Sequence, residues 1–380
     1  MRPTVFKLTA AILLFLGLVP FSKAQDPINV VTTAVPFLRI SPDARAAGMG
    51  DLALATSPDA NAPFWNLAKV PFNMSQSGIS ASYTPWLKDI LNDVYMASLA
   101  GYYRWDDQQA ISGAFRYFSL GNIQFTNEFG QDLNTFRPRE FGIDVGYSRK
   151  LSEKAGLGVG LKYIYSNLAE GPAAGNNYKA ANAVAGDIAF YYNGQNTEGQ
   201  GWSFGAALSN LGSKISYTDN ADQKDYIPAN LGLGTTYTRV FNSSNKITFG
   251  VDLNKLLVPT PPLNPTQQDI EEYRSKSVVS SWFSSFGDAP DGFSEEIKEF
   301  QVSLGGEYVY NNQFAIRAGY FHEDKTKGNR RYFTMGVGIK YNTFGLDFSY
   351  LFPSGSGVDR NPLSNTLRFS IHFNFDKAAN

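Results

Sequence analysis

Apolar and polar residues alternate along the last part of the chain. Between Leu367 and Phe375, apolar residues occupy every second position, and polar residues, among them Arg368 and His372, occupy the positions between them. A β-strand has this period of two because successive side chains point to opposite faces of the sheet. The pattern predicts a strand with one apolar and one polar face.

The same alternation recurs through most of the chain. Its segments are about ten residues long, as expected of a tilted strand that crosses a bilayer, and aromatic residues gather at their ends, where membrane interfaces lie. A soluble β-sandwich also alternates, but its strands are usually about five or six residues long. The predicted strands are 76–84, 93–104, 108–119, 136–150, 155–168, 180–193, 200–212, 227–241, 245–256, 300–311, 312–323, 329–342, 343–353 and 364–376. This even number of long strands predicts an all-β fold, a 14-stranded antiparallel transmembrane β-barrel.

Connections between the predicted strands also alternate in length. Those after even-numbered strands are short and turn-like, as at Asp106-Asp107 and Asn342-Thr343, whereas most of those after odd-numbered strands are longer. Outer-membrane barrels combine short periplasmic turns with longer extracellular loops. We therefore expect an integral protein of the cell outer membrane with its N- and C-termini on the periplasmic side.

The first 24 residues predict a secretory signal peptide. Arg2 and Lys7 precede an apolar run, and Ser22-Lys23-Ala24 provides a small-residue cleavage site.

The chain has no cysteine, which excludes a lipid-modified cysteine, disulfides and thiolate metal sites. No later stretch reaches the roughly 18 to 20 apolar residues of a membrane-spanning helix. With a net charge of -1, the chain lacks the excess of basic residues that is typical of a nucleic-acid-binding protein.

Residues 25–74 differ from the strands that follow. They are rich in alanine and glycine and contain the stretch ARAAGMGDLALATSPDANAPFWNLAK, in which Asp43 and Asp59 are placed to cap short helical turns. Small side chains let backbone pack closely inside a barrel. We expect these residues to form a plug in the periplasmic mouth of a barrel built from residues 75–380.

A dinucleotide-binding turn is an alternative reading of the same stretch. Gly48, Gly50 and Ala53 fit a loose G-x-G-x-x-A pattern. However, Pro42-Asp43 rather than an apolar strand precedes the first glycine, and no βαβ unit follows. The pattern therefore favours the plug.

The polar faces of the predicted strands carry charges of both signs. A wide ion-selective pore would show a ring of one sign, so nearly balanced charges predict a lumen filled by paired side chains and the plug. The residues expected in this lumen charge network are Arg116, Asp144, Lys162, Asp187, Asp252, Glu307, Arg317, Asp347 and Arg368.

The longest connection, residues 257–299, is called the external segment. Asn264-Pro265 is a good helix start, and apolar residues follow at helical spacing among eight acidic residues. An apolar stripe on an acidic outer loop predicts a docking surface for a partner; the alternative is that the stripe packs on the barrel rim. The candidate docking residues are Val279, Trp282, Phe283, Phe286 and Phe293.

Catalytic and metal-binding interpretations have little support, and we expect no enzyme activity, no cofactor and no metal. The chain contains only two histidines, His322 and His372. Ser370 and His372 share one strand face, but no third member of a hydrolase triad is evident. His322-Glu323-Asp324 lies at the outer end of a strand and is most simply a solvated loop edge, with a divalent cation or lipopolysaccharide contact as a minor alternative.

A signal peptide, an A-T-S-P-D-A…W-N-x-A motif and fourteen strands together resemble the FadL superfamily of outer-membrane proteins. Within it, AVPFLRISPDARAAGMGDLALATSPDANAPFWNLAK and SWFSSFGDAPDGFSEEIKEF are similar to the PorV family of the type IX secretion system. One departure is Asn66-Leu67-Ala68, where the family has Asn-Pro-Ala. The motif residues to which the resemblance points in the plug are Asp43, Arg45, Gly48, Gly50, Asp59, Trp65 and Asn66.

The resemblance implies a non-enzymatic component of protein secretion. It implies binding of secreted cargo proteins through their C-terminal signal domain at the large type IX translocon protein, and transfer to an attachment complex with a sortase-like protease. The alternative is a FadL-like transporter of long-chain fatty acids or other hydrophobic compounds, which has the same fold. A transporter needs an apolar track through the lumen, whereas the predicted inward positions are charged and glycine-rich.

Overall fold

The computed structural model describes residues 28–86, 93–126, 129–173, 176–219, 224–354 and 366–376. The predicted signal peptide lies outside the described residues. None of the described helices is long and apolar enough to cross a membrane.

Fourteen strands of the described residues form one closed antiparallel barrel. Each strand pairs with its neighbours in sequence, and β1 pairs with β14 from Ser77↔Phe375 to Tyr83↔Phe369. The strands are β1 (Ser77–Pro85), β2 (Val94–Arg104), β3 (Gln109–Leu120), β4 (Arg139–Lys150), β5 (Ala155–Asn167), β6 (Ala181–Asn193), β7 (Gly201–Gly212), β8 (Asn230–Asn242), β9 (Asn245–Leu256), β10 (Gln301–Tyr310), β11 (Phe314–His322), β12 (Arg331–Tyr341), β13 (Phe344–Pro353) and β14 (Leu367–Phe375). The predicted fold is confirmed, with strand limits within about three residues of those expected from the alternation.

The barrel wall is apolar outside and polar inside. Val145 on β4 and Leu161 on β5 are 58% and 63% exposed, whereas their sequence neighbours Asp144 and Lys162 are 7% and 4% exposed. A water-soluble barrel has the opposite arrangement, and a barrel in a bilayer requires this one. The alternation of the strands therefore positions the charged residues in the lumen.

The connections lie at two distinct ends of the barrel. Short turns such as 151–154 and 243–244 lie at one end, which we call the short-turn end. The other end, called the long-loop end, carries two small hairpins, Ile123–Thr126 with Asp132–Phe136 and Gly171–Ala173 with Asn176–Tyr178. It also carries the external segment.

The chain before β1 runs through the lumen from one end to the other. At the long-loop end the Asn29 amide donates to the Thr326 carbonyl at 2.9 Å. At the short-turn end Arg104 donates to the Asn73 carbonyl at 2.5 Å. The segment is therefore not confined to one mouth of the barrel.

This course places the two ends of the described chain at opposite ends of the barrel. The first described residue, Ile28, lies at the long-loop end, whereas β14 ends at Phe375, beside Ser77, at the short-turn end. The two termini themselves lie outside the described residues, so their expected position on the periplasmic side stays a prediction. Counting strands places the start of β1 correctly but cannot show that the preceding segment spans the lumen.

Candidate functional site: the lumen plug and the external segment

The plug, described from residue 28 to residue 76, consists of short helical turns joined by extended chain. Its turns are a 3-10 helix at Pro36–Arg39, helix α1 (Ala44–Ala47) and 3-10 helices at Ala62–Phe64 and Leu67–Phe72. Leu67, which stands where the related motif has proline, begins the last of these turns. A Cβ atom on Gly158 of the wall would lie 2.7 Å from Leu67 Cβ, so the wall needs glycine here.

Asp43 joins the two halves of the plug motif. One carboxylate oxygen caps α1 by accepting from the Ala46 amide at 2.9 Å, as predicted for a helix N-cap. The other accepts from Trp65 Nε1 at 2.6 Å. Asp59 accepts from the Asn61 amide at 2.9 Å and therefore stabilises a turn rather than capping a helix.

Arg45 joins the plug to the barrel wall. Its guanidinium donates to both carboxylate oxygens of Glu307 on β10 at 3.1 and 3.0 Å and to Asp59 at 2.7 Å. Glu307 also accepts from Arg317 on β11 at 2.6 Å, and Arg317 donates to Asp347 on β13 at 2.6 Å. Charge-assisted bonds of this kind are about twice as strong as neutral ones. The plug is thus part of one buried ion-pair network with three wall strands.

Two glycines of the motif allow the plug backbone to touch the wall. A Cβ atom on Gly48 would lie 3.1 Å from Gly336 Cα. Gly50 has φ +69°, and a Cβ there would lie 2.7 Å from the Tyr320 amide nitrogen. This contact leaves no room for a phosphate at Gly48 and Gly50, in agreement with the rejection of the dinucleotide-binding reading.

Polar side chains also satisfy the backbone of the plug. The Asn66 amide donates to the Leu54 and Phe190 carbonyls at 2.9 Å each and accepts from the Ala68 amide. Lys69, which the sequence gave no reason to select, is 2% exposed and donates to the Ala53 carbonyl at 2.6 Å. Unpaired backbone groups are costly away from water, so these side chains stabilise the inserted chain.

The other lumen charges have four different environments. Lys162 lies 3.1 Å from Asp144 Oδ1 and 3.3 Å from Asp187 Oδ2. Asp252 accepts from the amides of two plug residues, at 2.7 and 2.9 Å. Arg116 donates to the Leu38 carbonyl at 2.9 Å. Arg368 differs from all of these because it has no hydrogen bond or ion pair among the described residues.

The Ser370 hydroxyl is bonded within the plug interface. It accepts from the Ala44 amide at 2.9 Å and lies 2.6 Å from the Ser82 hydroxyl. His372 instead lies 3.4 Å from Asp347. At His322-Glu323-Asp324, the minor candidate for a cation contact, the Glu323 carboxylate accepts from Arg330 at 2.8 and 3.0 Å and from Arg39 at 3.2 Å. The described residues contain no group of three histidines, cysteines or acids placed to bind a metal ion.

The external segment contains three helices, α2 (Gln267–Ser275), α3 (Val278–Ser284) and α4 (Phe293–Lys298). The helix start expected at Asn264-Pro265 lies two residues too early, because Asn264 has φ +49°. Thr266 is the N-cap and forms a capping box with Asp269, as each side chain accepts from the other residue's amide.

Five apolar side chains of the external segment are exposed. We call this group the apolar face; its exposure ranges from 47% for Phe286 to 79% for Phe293. Of the predicted docking residues only Trp282 departs, because it is half-buried and its indole nitrogen has no hydrogen-bond partner among the described residues. The apolar face comprises Val279, Phe283, Phe286, Phe293 and Ile297.

Acidic side chains of the same segment point inward. Glu295, Glu296 and Glu299 are 6%, 5% and 7% exposed. Lys255 on β9 lies 2.6 Å from both Glu296 and Glu299, and Lys327 contacts Glu295 and, at 2.9 Å, Glu299. This reverses the usual arrangement of a surface helix, in which apolar residues face the protein. Ion pairs therefore contact the inner side of α4, in addition to the apolar packing of Val258 and Tyr273 elsewhere in the segment, and the apolar face is left exposed.

The two lysines lower the pKa values of two of these buried acids, Glu295 and Glu299. Burial raises the pKa of Glu299, but hydrogen bonds from Lys255 and Thr260 outweigh it and leave the pKa below its ordinary value of 4.5. Burial also raises the pKa of Glu295, and the bond from Lys327 again lowers it below the ordinary value. Both carboxylates are therefore ionised at neutral pH, as the ion pairs require.

Comparison with known proteins gives the family and the fold. Residues 22–263, more than half of the chain, match the family described as Type IX secretion system protein PorV. The crystal structure of the Ralstonia pickettii toluene transporter TbuX is similar, with 11% identity, a TM-score of 0.53 and coverage of 88% of this chain and 98% of that one. That of the P. putida toluene transporter TodX also has 11% identity and a TM-score of 0.53, with coverage of 87% and 98%.

A search of curated proteins found no match. Identity this low between the solved structures and this chain shows a shared fold only. The family match extends over the plug, the first nine strands and the start of the external segment. The chain is an outer-membrane β-barrel and belongs to the PorV family of the type IX secretion system.

Proposed function

We propose that the protein binds secreted cargo proteins at the long-loop end of the barrel, through their C-terminal signal domain, beside the large translocon protein. It then passes them to the cell-surface attachment complex with its sortase-like protease. The observation that carries the proposal is the apolar face, because exposed apolar patches with a polar rim mark protein interaction sites. The partners in this proposal are those implied by membership of the family, and the apolar face is the surface proposed to bind them.

The ion pairs below the apolar face favour docking over packing on the barrel rim. Lys255, on the outer face of β9, is 0% exposed and contacts Glu296 and Glu299 at α4. Phe283 on α3 is 75% exposed, so most of its surface contributes nothing to holding the segment. Aromatic side chains held rigidly on an ordered segment are frequent anchors of protein interfaces.

We propose no catalytic role for the protein. The sequence suggested Ser370 and His372 as a possible catalytic pair on one strand face. The Ser370 hydroxyl instead accepts from the Ala44 amide of the plug and lies at hydrogen-bond distance from the Ser82 hydroxyl. The plug and its ion pairs fill the lumen and support the barrel as a closed scaffold. A transporter of hydrophobic compounds is less well supported, because Arg45, Glu307 and Arg317 form ion pairs where an apolar track would run.

Alanine at Phe283 and Phe293 tests cargo docking. We expect this double variant to reach the outer membrane at normal abundance but to co-purify at least tenfold less cargo from its native membrane. Phe129 is 78% exposed on another connection of the long-loop end, so Phe129→Ala is a matched aromatic control that should retain cargo. Unchanged cargo recovery with Phe283→Ala/Phe293→Ala would refute the proposal, and a parallel loss of barrel and cargo would assign the face to packing.

A further inference from the structure

An aromatic row crosses the outer face of the barrel wall near the long-loop end. The ring centroids of Tyr95 on β2 and Tyr117 on β3 are 6.2 Å apart, and those of Phe141 on β4 and Tyr165 on β5 are 4.8 Å apart. Tyr117 and Phe141 are partners in the ladder between β3 and β4, so the row is continuous. Aromatic rows of this kind lie at the boundary between the hydrocarbon and the lipid headgroups. The next outer side chains toward the long loops therefore lie among the headgroups.

Arg139 is the next outer side chain on β4. In the ladders it lies between Ser119 of β3 and Asn167 of β5. It is exposed and has no hydrogen bond or ion pair among the described residues. The neighbouring Glu140 does not compensate its charge, because that side chain is on the inner face and accepts from the Ser166 hydroxyl at 2.6 Å. A guanidinium is thus available at headgroup level on the lipid-facing surface.

Arg137 provides a second guanidinium on the same side of the chain. Arg137 and Arg139 are exposed while Pro138 between them is buried, which is the alternation of an extended chain. Arg137 Nε donates to the Asn122 side chain, and the Asn122 amide donates to the Asp93 carboxylate at 2.8 Å. No other hydrogen bond of Arg137 is present in the described part of the chain, so its Nη1 and Nη2 donors stay open. Asp93 supplies one negative charge against two guanidinium groups, and the surface keeps a positive balance.

Asn167 adds an acceptor that lacks a donor. The residue is 9% exposed, and its Oδ1 atom is shielded from solvent without a hydrogen-bond partner among the described residues. By the alternation of β5, Asn167 is on the outer face with Tyr165, and it is the ladder partner of Arg139. A buried acceptor without a donor costs free energy. This atom therefore points to a hydroxyl or amine of a bound molecule.

We propose that this surface, apart from the external segment, binds the phosphate-bearing headgroup of a glycolipid. The guanidinium groups of Arg137 and Arg139 donate to the phosphate oxygens, for which their fork of donors is suited. Asn167 Oδ1 accepts from a sugar hydroxyl, and the acyl chains lie against the aromatic row. An arginine that only extends to water at a membrane interface requires neither a second guanidinium held in place nor an unfilled acceptor beside it.

Native mass spectrometry of the full barrel in detergent tests the site, with lipid A as the phosphorylated glycolipid. We expect lipid A to be retained. Dephosphorylated lipid A should bind at least about tenfold more weakly, because the charge-assisted bonds to phosphate are lost. Inorganic phosphate at millimolar concentration should not displace lipid A, which distinguishes a lipid site from a site for free phosphate.

Substitutions locate the site on the barrel. Arg137→Gln/Arg139→Gln should weaken binding of lipid A at least about tenfold, whereas Arg137→Lys/Arg139→Lys should retain part of it because the charges remain. Asn167→Ala should weaken binding of lipid A but not that of phosphatidic acid, which carries a phosphate without a sugar. Arg149 is exposed on the outer face at the opposite end of β4, so Arg149→Gln is the matched control and should bind as the unchanged protein does.

Four results would overturn the proposal. Equal retention of lipid A with and without its phosphates, or retention of neither, would show that no phosphate is recognised. Displacement by inorganic phosphate would make this a site for the free anion, and an equal loss with Arg149→Gln would place the lipid elsewhere. An equal effect of Asn167→Ala on lipid A and phosphatidic acid would remove the sugar from the assignment. The comparison of the two forms of lipid A needs no substitution, so it decides the matter even where a variant fails to fold.

Discussion

Lys255 on strand β9 lies 2.6 Å from Glu299 of the external segment, and the lysine side chain is completely buried. By the alternation of β9, Lys255 is on the outer face of the barrel, together with Val251 and Leu253. A lysine on the lipid-facing surface is costly. The external segment removes this cost by covering Lys255 with Glu296 and Glu299, so the wall and the segment depend on each other.

Replacing Lys255 by methionine should release α4 from the barrel. Loss of one partner of a buried ion pair costs about 3–5 kcal/mol, because the remaining charges are left buried and unpaired. We expect faster protease cleavage within residues 278–300. The heat-modifiable mobility of the barrel on gels, which reports the folded barrel, should be unchanged. Lys246, near the short-turn end of the same strand, supplies the control Lys246→Met. An unchanged cleavage pattern for Lys255→Met would show that the segment does not depend on this ion pair and is held by its other contacts.

Acid should loosen the external segment in the same way. The folded-state pKa values of Glu295 and Glu299 lie below their ordinary value of 4.5, owing to the neighbouring lysines, which outweigh burial. A carboxylate with a depressed pKa stabilises the fold above its unfolded pKa and loses that contribution as the pH falls through its folded pKa. The segment should therefore be unchanged from neutral pH to about 4.5 and become loose below it.

Hydrogen exchange of residues 278–300, followed as the pH falls through 4.5, measures this loosening. Exchange in β5, corrected for the intrinsic effect of pH, is the internal reference. Burial raises the pKa of Asp288 above its ordinary value, so its protonation acts in the opposite direction but involves one carboxylate against two. Equal protection of the segment above and below that pH would contradict the prediction.

The barrel could be predicted from sequence because the bilayer imposes a period of two on every strand. Leu157, Val159 and Leu161 alternate with small or charged residues whichever partner β5 has. The predicted inward charges are in the lumen for the same reason. Their partners were not predictable: Arg45 meets Glu307, which lies 262 residues away in sequence.

The anchoring of the external segment could not be predicted from helical spacing. Spacing places apolar residues on one side of a helix but does not say which side faces the protein. Buried Glu295, Glu296 and Glu299 form ion pairs with Lys255 and Lys327, which helical spacing does not reveal. Lys255 offered one signal, since it interrupts the apolar alternation of Ile247, Phe249, Val251 and Leu253.

Contact between plug and wall backbone predicts a strong effect at Gly319. A Cβ atom there would lie 2.1 Å from the Met49 carbonyl carbon and 2.2 Å from the Gly50 nitrogen. Backbone cannot move aside as a flexible side chain can. Gly319→Ala should therefore displace the plug and lower the free energy of unfolding by about 1–3 kcal/mol or more. The temperature at which the barrel unfolds on gels should fall, and protease should gain access to the plug. At Gly113 the nearest atom is the Asp144 carbonyl oxygen at 3.6 Å, so Gly113→Ala is the control and should be neutral.

The path of the plug predicts which side of the membrane the start of the described chain occupies. Ile28 is 76% exposed at the long-loop end, close to the bond between Asn29 and Thr326. The chain has no cysteine, so single substitutions give unique labelling sites. With a maleimide that cannot cross membranes, Ile28→Cys and Glu271→Cys of the external segment should label equally on intact cells. Glu198→Cys in the short turn 194–200 should label only after permeabilisation. Labelling of Ile28→Cys together with Glu198→Cys would place the start of the plug at the short-turn end and contradict its course through the lumen.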